Sequence, residues 1–416
     1  IRLDDVTGRV TYEDGTFTLH EVSARRGDAK VALAGHGQVM PDQRWQVQLT
    51  RLIADRIRVD HELMEALPDG LRAVAKQIEY RGQIGVSGNA WLAVGNGQPV
   101  DAAWDVMVDI EDGALDNLLK LEHIHGGVRL TGKRQATGFH SRGEVEIDSL
   151  IARGVQVTQI QGPLWLDAGQ LIIGTRADAP PPGQPARPVT AQTLGGTITL
   201  DGHVVLDDQM RYGVDVSLAQ GELSGIAHTA LTDRKDVSGK VFAVLQLAGA
   251  RAGVHTLQGR GQVRLREADI YELPVMVNLL KFVSLQRPDR NAFTSSDVDF
   301  RISGEQIFLD RIDFHGDAIS LKGQGWMDLN RRINVDFYTL VGRHEIQLPL
   351  IREFLAEASR NMLLIQVVGS IDQPRIISKP LPELDETLQR IFPEAVPHDA
   401  HPKLPWFLGR KESVRR

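Results

Sequence analysis

From Val298 to Phe337 hydrophobic and polar residues alternate, and short glycine-bearing breaks divide the alternation into strands. Val298, Phe300 and Ile302 are separated by charged neighbours before Gly304 interrupts them. Phe308 to Phe314 follows, then the Gly316-Asp317 turn, then Ile319 and Leu321. Gly323 and Gly325 break the pattern ahead of Met327 and Leu329, and Ile333, Val335 and Phe337 close the unit. A period of two gives each strand one apolar and one wet face. The stretch predicts a meander of half-buried antiparallel strands.

The same grammar opens the chain between Leu3 and Leu49. Val10 and Tyr12 lead into Asp14-Gly15, a strong hairpin signal between alternating runs. Phe17, Leu19, Val31, Leu33, Val47 and Leu49 continue the alternation. Gly15 matches Gly304, Leu19 and Val22 match Leu309 and Ile312, and Gly27-Asp28-Ala29 matches Gly316-Asp317-Ala318. Gly35 and Gly37 match Gly323 and Gly325 after a one-residue gap. Spaced glycines and hydrophobes of this kind predict a structural repeat.

Between the two units the pattern predicts strands with a few helical inserts. Asp60 to Gln77 reads as a helix, with Leu63, Met64, Leu67, Leu71 and Val74 at helical spacing. Strands are expected over Ile78–Val94, Ala103–Ile110, Val128–Ile173, Ile198–Leu218 and Val241–Leu265, and one or two helical turns over Gly113–Leu121. Ala179 to Val189 is rich in proline and glycine and reads as an extended loop or linker. Tyr271–Leu285 and Pro349–Asn361 read as helices, Leu363–Gly369 as a last strand, and Leu381–Phe392 as a final amphipathic helix. The expected organisation is an N-terminal β-meander region over 1–178, with its helical insert near 60–77, and the loop at 179–189. A β-groove region with capping helices follows over 190–392, then a mobile basic tail over 393–416. The fold class is mainly β: a long, curled antiparallel sheet of about twenty strands, because open sheets of that size curl, split or close.

Composition narrows the function. A net charge of −7 over 416 residues argues against a nucleic-acid partner, which asks for a basic face. The chain has no cysteine, so disulfide frameworks and thiolate metal sites are out. Aromatics make up only 6% and glycines number 40, which suits many short strands and turns. No apolar run is long enough to span a bilayer, and no charged-then-apolar signal precedes the first strand. The chain is therefore expected to be the C-terminal portion of something longer, with any anchor upstream.

The stretch from Val237 to Phe392 resembles the AsmA-like family of bacterial envelope proteins, which includes the TamB and YhdP types. The resemblance rests on SGKVFAVLQLAG, then GRGQVRLREADIYELPVMVNLLKFVSL, then the meander SSDVDFRISGEQIFLDRIDFHGDAISLKGQGWMDL. The closing VVGSIDQPRIISKPLPELDETLQRIF carries V-x-G-x-I-x-x-P at Val367–Pro374. The N-terminal half shares only the strand grammar. The resemblance implies a taco-shaped β-groove with an apolar interior, standing in the periplasm on an inner-membrane anchor. It implies phospholipid or another acyl-chain lipid as the partner, envelope membrane proteins beside it, and a part in phospholipid transport and outer-membrane integrity. No cofactor and no catalysis are expected.

The candidate groove-lining residues are Phe17, Leu19, Val31, Leu33, Val298, Phe300, Ile302 and Leu321; the alternative is an ordinary self-filled core. Leu384, Leu388, Ile391 and Phe392 form one stripe of the last helix, which suits a groove cap or plain packing onto the last strand. Trp406, Phe407, Arg410 and Lys411 combine aromatic and basic groups as a membrane interface does, or belong to an ordinary terminus. His123 and His125 share a strand face, but a third metal ligand is not evident, so no metal site is expected. No nucleophile elbow, P-loop or dinucleotide fingerprint occurs. The readings left open are a lipid conduit or scaffold, an assembly protein with a filled core acting through protein interactions, and a β-solenoid adhesin or carbohydrate-active protein.

Overall fold

In the computed structural model, residues 3–41, 43–66, 72, 75, 79–95, 100–116, 120–135, 138–167, 169–230, 237–268, 295–316, 319–341 and 362–379 are described. The first strands are β1 (Asp4–Glu13), β2 (Thr16–Arg26), β3 (Ala29–Val39), β4 (Trp45–Arg58) and β5 (Tyr80–Val94). Next come β6 (Asp101–Leu115), β7 (Leu121–Gln135), β8 (Gly138–Ala152), β9 (Val155–Asp167) and β10 (Gln170–Ile173). Then follow β11 (Val189–Thr193), β12 (Gly196–Val205), β13 (Tyr212–Glu222), β14 (Lys240–Gly249), β15 (Gln258–Arg266) and β16 (Ser295–Ser303). The last are β17 (Gln306–His315), β18 (Ile319–Asp328), β19 (Arg332–Val341), β20 (Met362–Ser370) and β21 (Pro374–Lys379). The helices among the described residues are short: α1 (His61–Ala66), α2 (Leu223–Ala230) and a 3-10 turn at Val254–Thr256.

All 21 strands belong to one long antiparallel sheet, in which strands adjacent in sequence are hydrogen-bonded neighbours. The exception lies at β10 and β11. Ile173 pairs with Leu164 of β9 and Gly202 of β12, and Thr190 pairs with Gln161 and Thr199 of the same two strands. These two short strands thus occupy one place in the ladder, end to end, and residues 174–188 are ejected between them. The proline-rich loop is an excursion within a strand position, and the ladder runs through it unbroken. Arg187 fastens the loop back by ion pairs to Asp178 at 3.1 Å and Glu144 at 3.0 Å.

Hairpin chemistry is what the sequence announces. Glu13 pairs with Thr16 around Asp14 and Gly15, both at positive φ of 47° and 79°, the mirror-image turn that matches strand twist. Less legible are the bulges. Leu19 and Val22, Ala54 and Ile57, Ile110 and Gly113, and Leu218 and Gly221 are each three residues apart, yet each pair brackets a register shift. The residue just before the second member, respectively Glu21, Arg56, Asp112 and Gln220, has φ between 46° and 59°. One extra residue per bulge turns the chain so that the next hydrophobe returns to the original face. Strict alternation would have sent it to the other side.

The predicted repeat is visible as register. Leu19/Val22 and Leu309/Ile312 both flank a shift. Leu19 faces Gly35 and Leu309 faces Gly325, so Gly35 is equivalent to Gly325 and not to Gly323. Aromatic rings lie on glycines of the neighbouring strand at both ends of the chain. A Cβ on Gly37 would overlap the Phe17 ring, and one on Gly261 the Phe300 ring.

The largest core lies at the C-terminal end of one face. It joins Val241, Leu265, Ile312, Leu321, Ile333, Val335, Phe337, Ile365 and Val367 with Leu223 and Ala227 of α2. Phe337 is 2% exposed, and Ile365 and Val367 are 0% exposed. The insert expected at 60–77 is helical where it is described, at His61–Ala66 and at residues 72 and 75. Two expectations need correction. Gly113–Leu115 finishes β6 and Leu121 begins β7, so no helical patch occupies the described ends of 113–121. Leu363–Gly369 is not the last strand, because Ser370–Gln373 turns the chain into β21. The helices expected at 271–285, 349–361 and 381–392, and the tail from 393, lie outside the described residues.

Candidate functional site

Tracing partners from strand to strand resolves the apolar side chains into continuous lanes. One lane begins at Val22 and passes through Leu33, Leu52, Gly88, Val106, Leu130, Gly143 and Leu164. It continues through Ile173, Gly202, Val214, Leu247, Gly259, Ile302, Ile307, Met327, Ile333, Gly369 and Pro374. From β2 to β21 not one member is polar. A second lane, two residues along, runs through Ala24, Val31, Ala54, Val86, Val108, Val128, Val145 and Gly162. It resumes at Val189 and reaches Ile376 by way of Phe300, Leu309, Gly325 and Val367. A lane on either side, one through Leu19, Leu49 and Trp104, the other through Ile84, Ile110 and Ile147, is also free of charge.

Four lanes at two-residue spacing make a strip about 20 Å tall, and strands about 4.8 Å apart carry it for roughly 85 Å along the ladder. Its neighbours on the opposite face are of another kind. Asp109, Gly127, Glu146, Gln161, Thr190, Thr199 and Ser217 follow one another in a single lateral row. Carboxylates and guanidinium groups pair there, Arg129 with Asp105 at 3.2 Å and Arg301 with Asp310 at 2.7 Å. The hydrogen bond donated by Arg129 holds the Asp105 carboxyl below its ordinary range, and the bonds that Arg301 donates to Asp310 raise the arginine. On the apolar face the one tyrosine of the Leu19 lane, Tyr212, has its hydroxyl pKa pushed up by desolvation.

All eight candidate lining residues fall on this face. Leu33 and Ile302 belong to the first lane, Val31 and Phe300 to the second, and Leu19 and Val298 to the two outer ones. Phe17 lies beyond Leu19 at the lip, its ring 5.8 Å from Trp45, and Leu321 lies at the far side, 1% exposed. The other seven are half-buried. The lane members between the two repeats went unnamed from sequence, because which residues align across strands depends on the bulges. The cap residues Leu384, Leu388, Ile391 and Phe392 and the tail residues Trp406, Phe407, Arg410 and Lys411 lie outside the described residues.

His123 stands at a bulge with φ of 52°, and its Nδ1 lies 2.7 Å from Asp112 at the adjoining bulge of β6. Its role is to tie two bulges together. Among the described residues no cluster of three His, Asp or Glu side chains suits a metal ion, and no helix is long and apolar enough to cross a membrane. Comparison with protein-family models, with curated proteins and with solved structures returns no match for this chain.

Proposed function

We propose that the chain is a non-catalytic, AsmA-like conduit or scaffold of the bacterial envelope that carries acyl-chain lipids along the uncharged face of its sheet. The observation that supports this most is the lane from Val22 to Pro374, which crosses the sheet without a polar side chain. An acyl chain moved from water to such a surface gains at most about 0.8 kcal/mol per buried CH₂. Because the lanes are uniform, one position on them is worth much the same as the next. A tail can move along them while the headgroup stays in water at the lip, and no reactive side chain is called on. The placement in the periplasm, on an anchor upstream, is part of the same proposal.

One observation favours a second reading for the last strands. Phe337, Ile365 and Val367 are sealed from solvent, as in a self-filled core. Meanwhile the edge strand β1 is exposed throughout, with Tyr12 at 68% and Val10 at 60%. A scaffold acting through protein contacts would combine such a filled core with such exposed apolar side chains. Native mass spectrometry with lipid extraction, on the chain purified from cells, separates the two. Co-purifying phospholipid is the expected result. A folded, lipid-free chain that takes up no acyl probe overturns the conduit reading.

A further inference from the structure

Among the described residues two arginines stand at the lips of the apolar face, Arg26 at one and Arg134 at the other. The lateral row just outside the Leu19 lane contains Phe17, Val47, Leu92 and Ala102, then Arg134, then Phe139. Arg134 lies on the same side of β7 as Leu130 and Val128, with Ala102 and Phe139 as its cross-strand partners. Phe139 is 4% exposed and stacks on Trp104 with ring centres 5.2 Å apart. Arg134 is half-buried beside this packed patch, and no hydrogen bond or ion pair to it occurs among the described residues.

The half-buried Arg26, Arg44 and Arg266 are treated differently, each having a carboxylate. Arg26 sits on the same face at the opposite lip, and there Asp60 and Glu62 each hold it at 2.8 Å. On the polar face Arg129, Arg187, Arg301 and Arg311 each have a carboxylate. A guanidinium beside an apolar patch, with five donors and no acid to take them, suits an anion. A phosphodiester satisfies it bidentately.

Resting on the lipid-binding reading, we propose that Arg134 anchors the anionic headgroup of a phospholipid at the lip. One acyl tail then lies along β7 over Leu130 and Val128. Arg134 acts here as a specificity residue: the lanes take any tail, and the guanidinium selects molecules whose phosphate reaches the edge of the face.

The test uses soluble lipids with identical tails: dioctanoyl phosphatidylglycerol, dioctanoylglycerol, and inorganic phosphate as competitor. The intact chain is expected to bind the phosphatidylglycerol roughly tenfold more tightly than the diacylglycerol, the worth of one charge-assisted contact. In Arg134→Gln the two affinities converge by weakening of the phosphatidylglycerol alone, and Arg134→Lys restores part of the preference. Phosphate alone is expected to compete weakly, because it lacks the tail; full displacement of the lipid by phosphate at equal concentration overturns the proposal. Equal affinities in the unaltered chain, or a preference that survives Arg134→Gln, also overturn it and leave the lipid-binding reading standing. Binding of neither lipid removes both. Melting curves of the two variants matching that of the unaltered chain tie any change to the site.

Discussion

Placing one carboxylate in the middle of the longest lane is the most direct challenge to the lipid-binding reading. Leu130 is half-buried on β7, between Val106 and Gly143, and its Cδ2 would lie 2.8 Å from a Cβ placed on Gly143. A tail lying along β7 meets successive lanes at intervals of about 6.7 Å, so one lane touches roughly two or three methylenes. Losing that contact in Leu130→Glu removes about 2 kcal/mol at ~0.8 kcal/mol per CH₂, roughly thirtyfold in affinity. Desolvation of the carboxylate by a bound tail adds to the loss. The control is Thr190→Glu, which puts the same charge on the exposed polar face of β11. Retained lipid per chain is read by native mass spectrometry and affinity by displacement of a fluorescent acyl probe, with circular dichroism to confirm folding. A folded Leu130→Glu chain that keeps its full lipid load, or an equal loss in Thr190→Glu, refutes the reasoning.

Gly261→Ala is expected to lower stability by about 1–3 kcal/mol in denaturant titration, because the added methyl collides with the Phe300 ring. A non-additive double mutant with Phe300→Leu would locate the effect in that contact. Excising Thr175–Pro188 joins Gly174 to Val189, so that the joined strand stays in register with Leu164 and Gly202 on one side of the cut and Leu200 on the other. Stability should change by less than about 2 kcal/mol, since the losses are the ion pairs of Arg187, the buried Ala177 methyl and a loop closure; loss of the strand signal in circular dichroism would show that the loop is part of the fold. Asp60 accepts from Arg26 and from the Leu63 amide, which hold its carboxyl below the ordinary 3.8. A folded-state pKa depressed in this way stabilises α1 fully above the unfolded value and progressively less as pH falls through the folded one. Amide protection factors in α1, referred to the intrinsic exchange rate at each pH, should therefore fall on acidification in this window, and Asp60→Asn should abolish that pH dependence.

Much of the sheet was written in the sequence, because alternation and glycine-bearing turns are local. Asp14-Gly15 and the eight candidate lining residues needed nothing beyond their neighbours. What escaped notice depends on partners distant in sequence. Glu21, Arg56 and Gln220 take the left-handed conformation without being glycine, so no composition cue marks the bulges that keep Leu19 and Val22, or Ala54 and Ile57, on one face. The short turn at Ser370–Gln373 hid β21, since Pro374 reads as the end of a strand although it is the first residue of one. Proline is tolerated there because the first residue of a strand need not donate to the ladder. Nothing local singles out Arg134; only the register sets it between Ala102 and Phe139.

Because strands pair chiefly with those next to them in sequence, stability in this chain accumulates as a sum of adjacent interfaces, much as it does in repeat proteins. Such an assembly has no reason to melt all at once. β1 contributes ten residues that are all exposed and, among the described residues, pairs with β2 alone, whereas β17 to β20 share the sealed core around Phe337 and Ile365. Unfolding then starts at the β1 edge and moves inward like a zip, leaving the C-terminal strands to the end, and no single midpoint describes it. The same property lets the sheet grow hairpin by hairpin as the chain is made, most new strands closing only a short loop onto the one before.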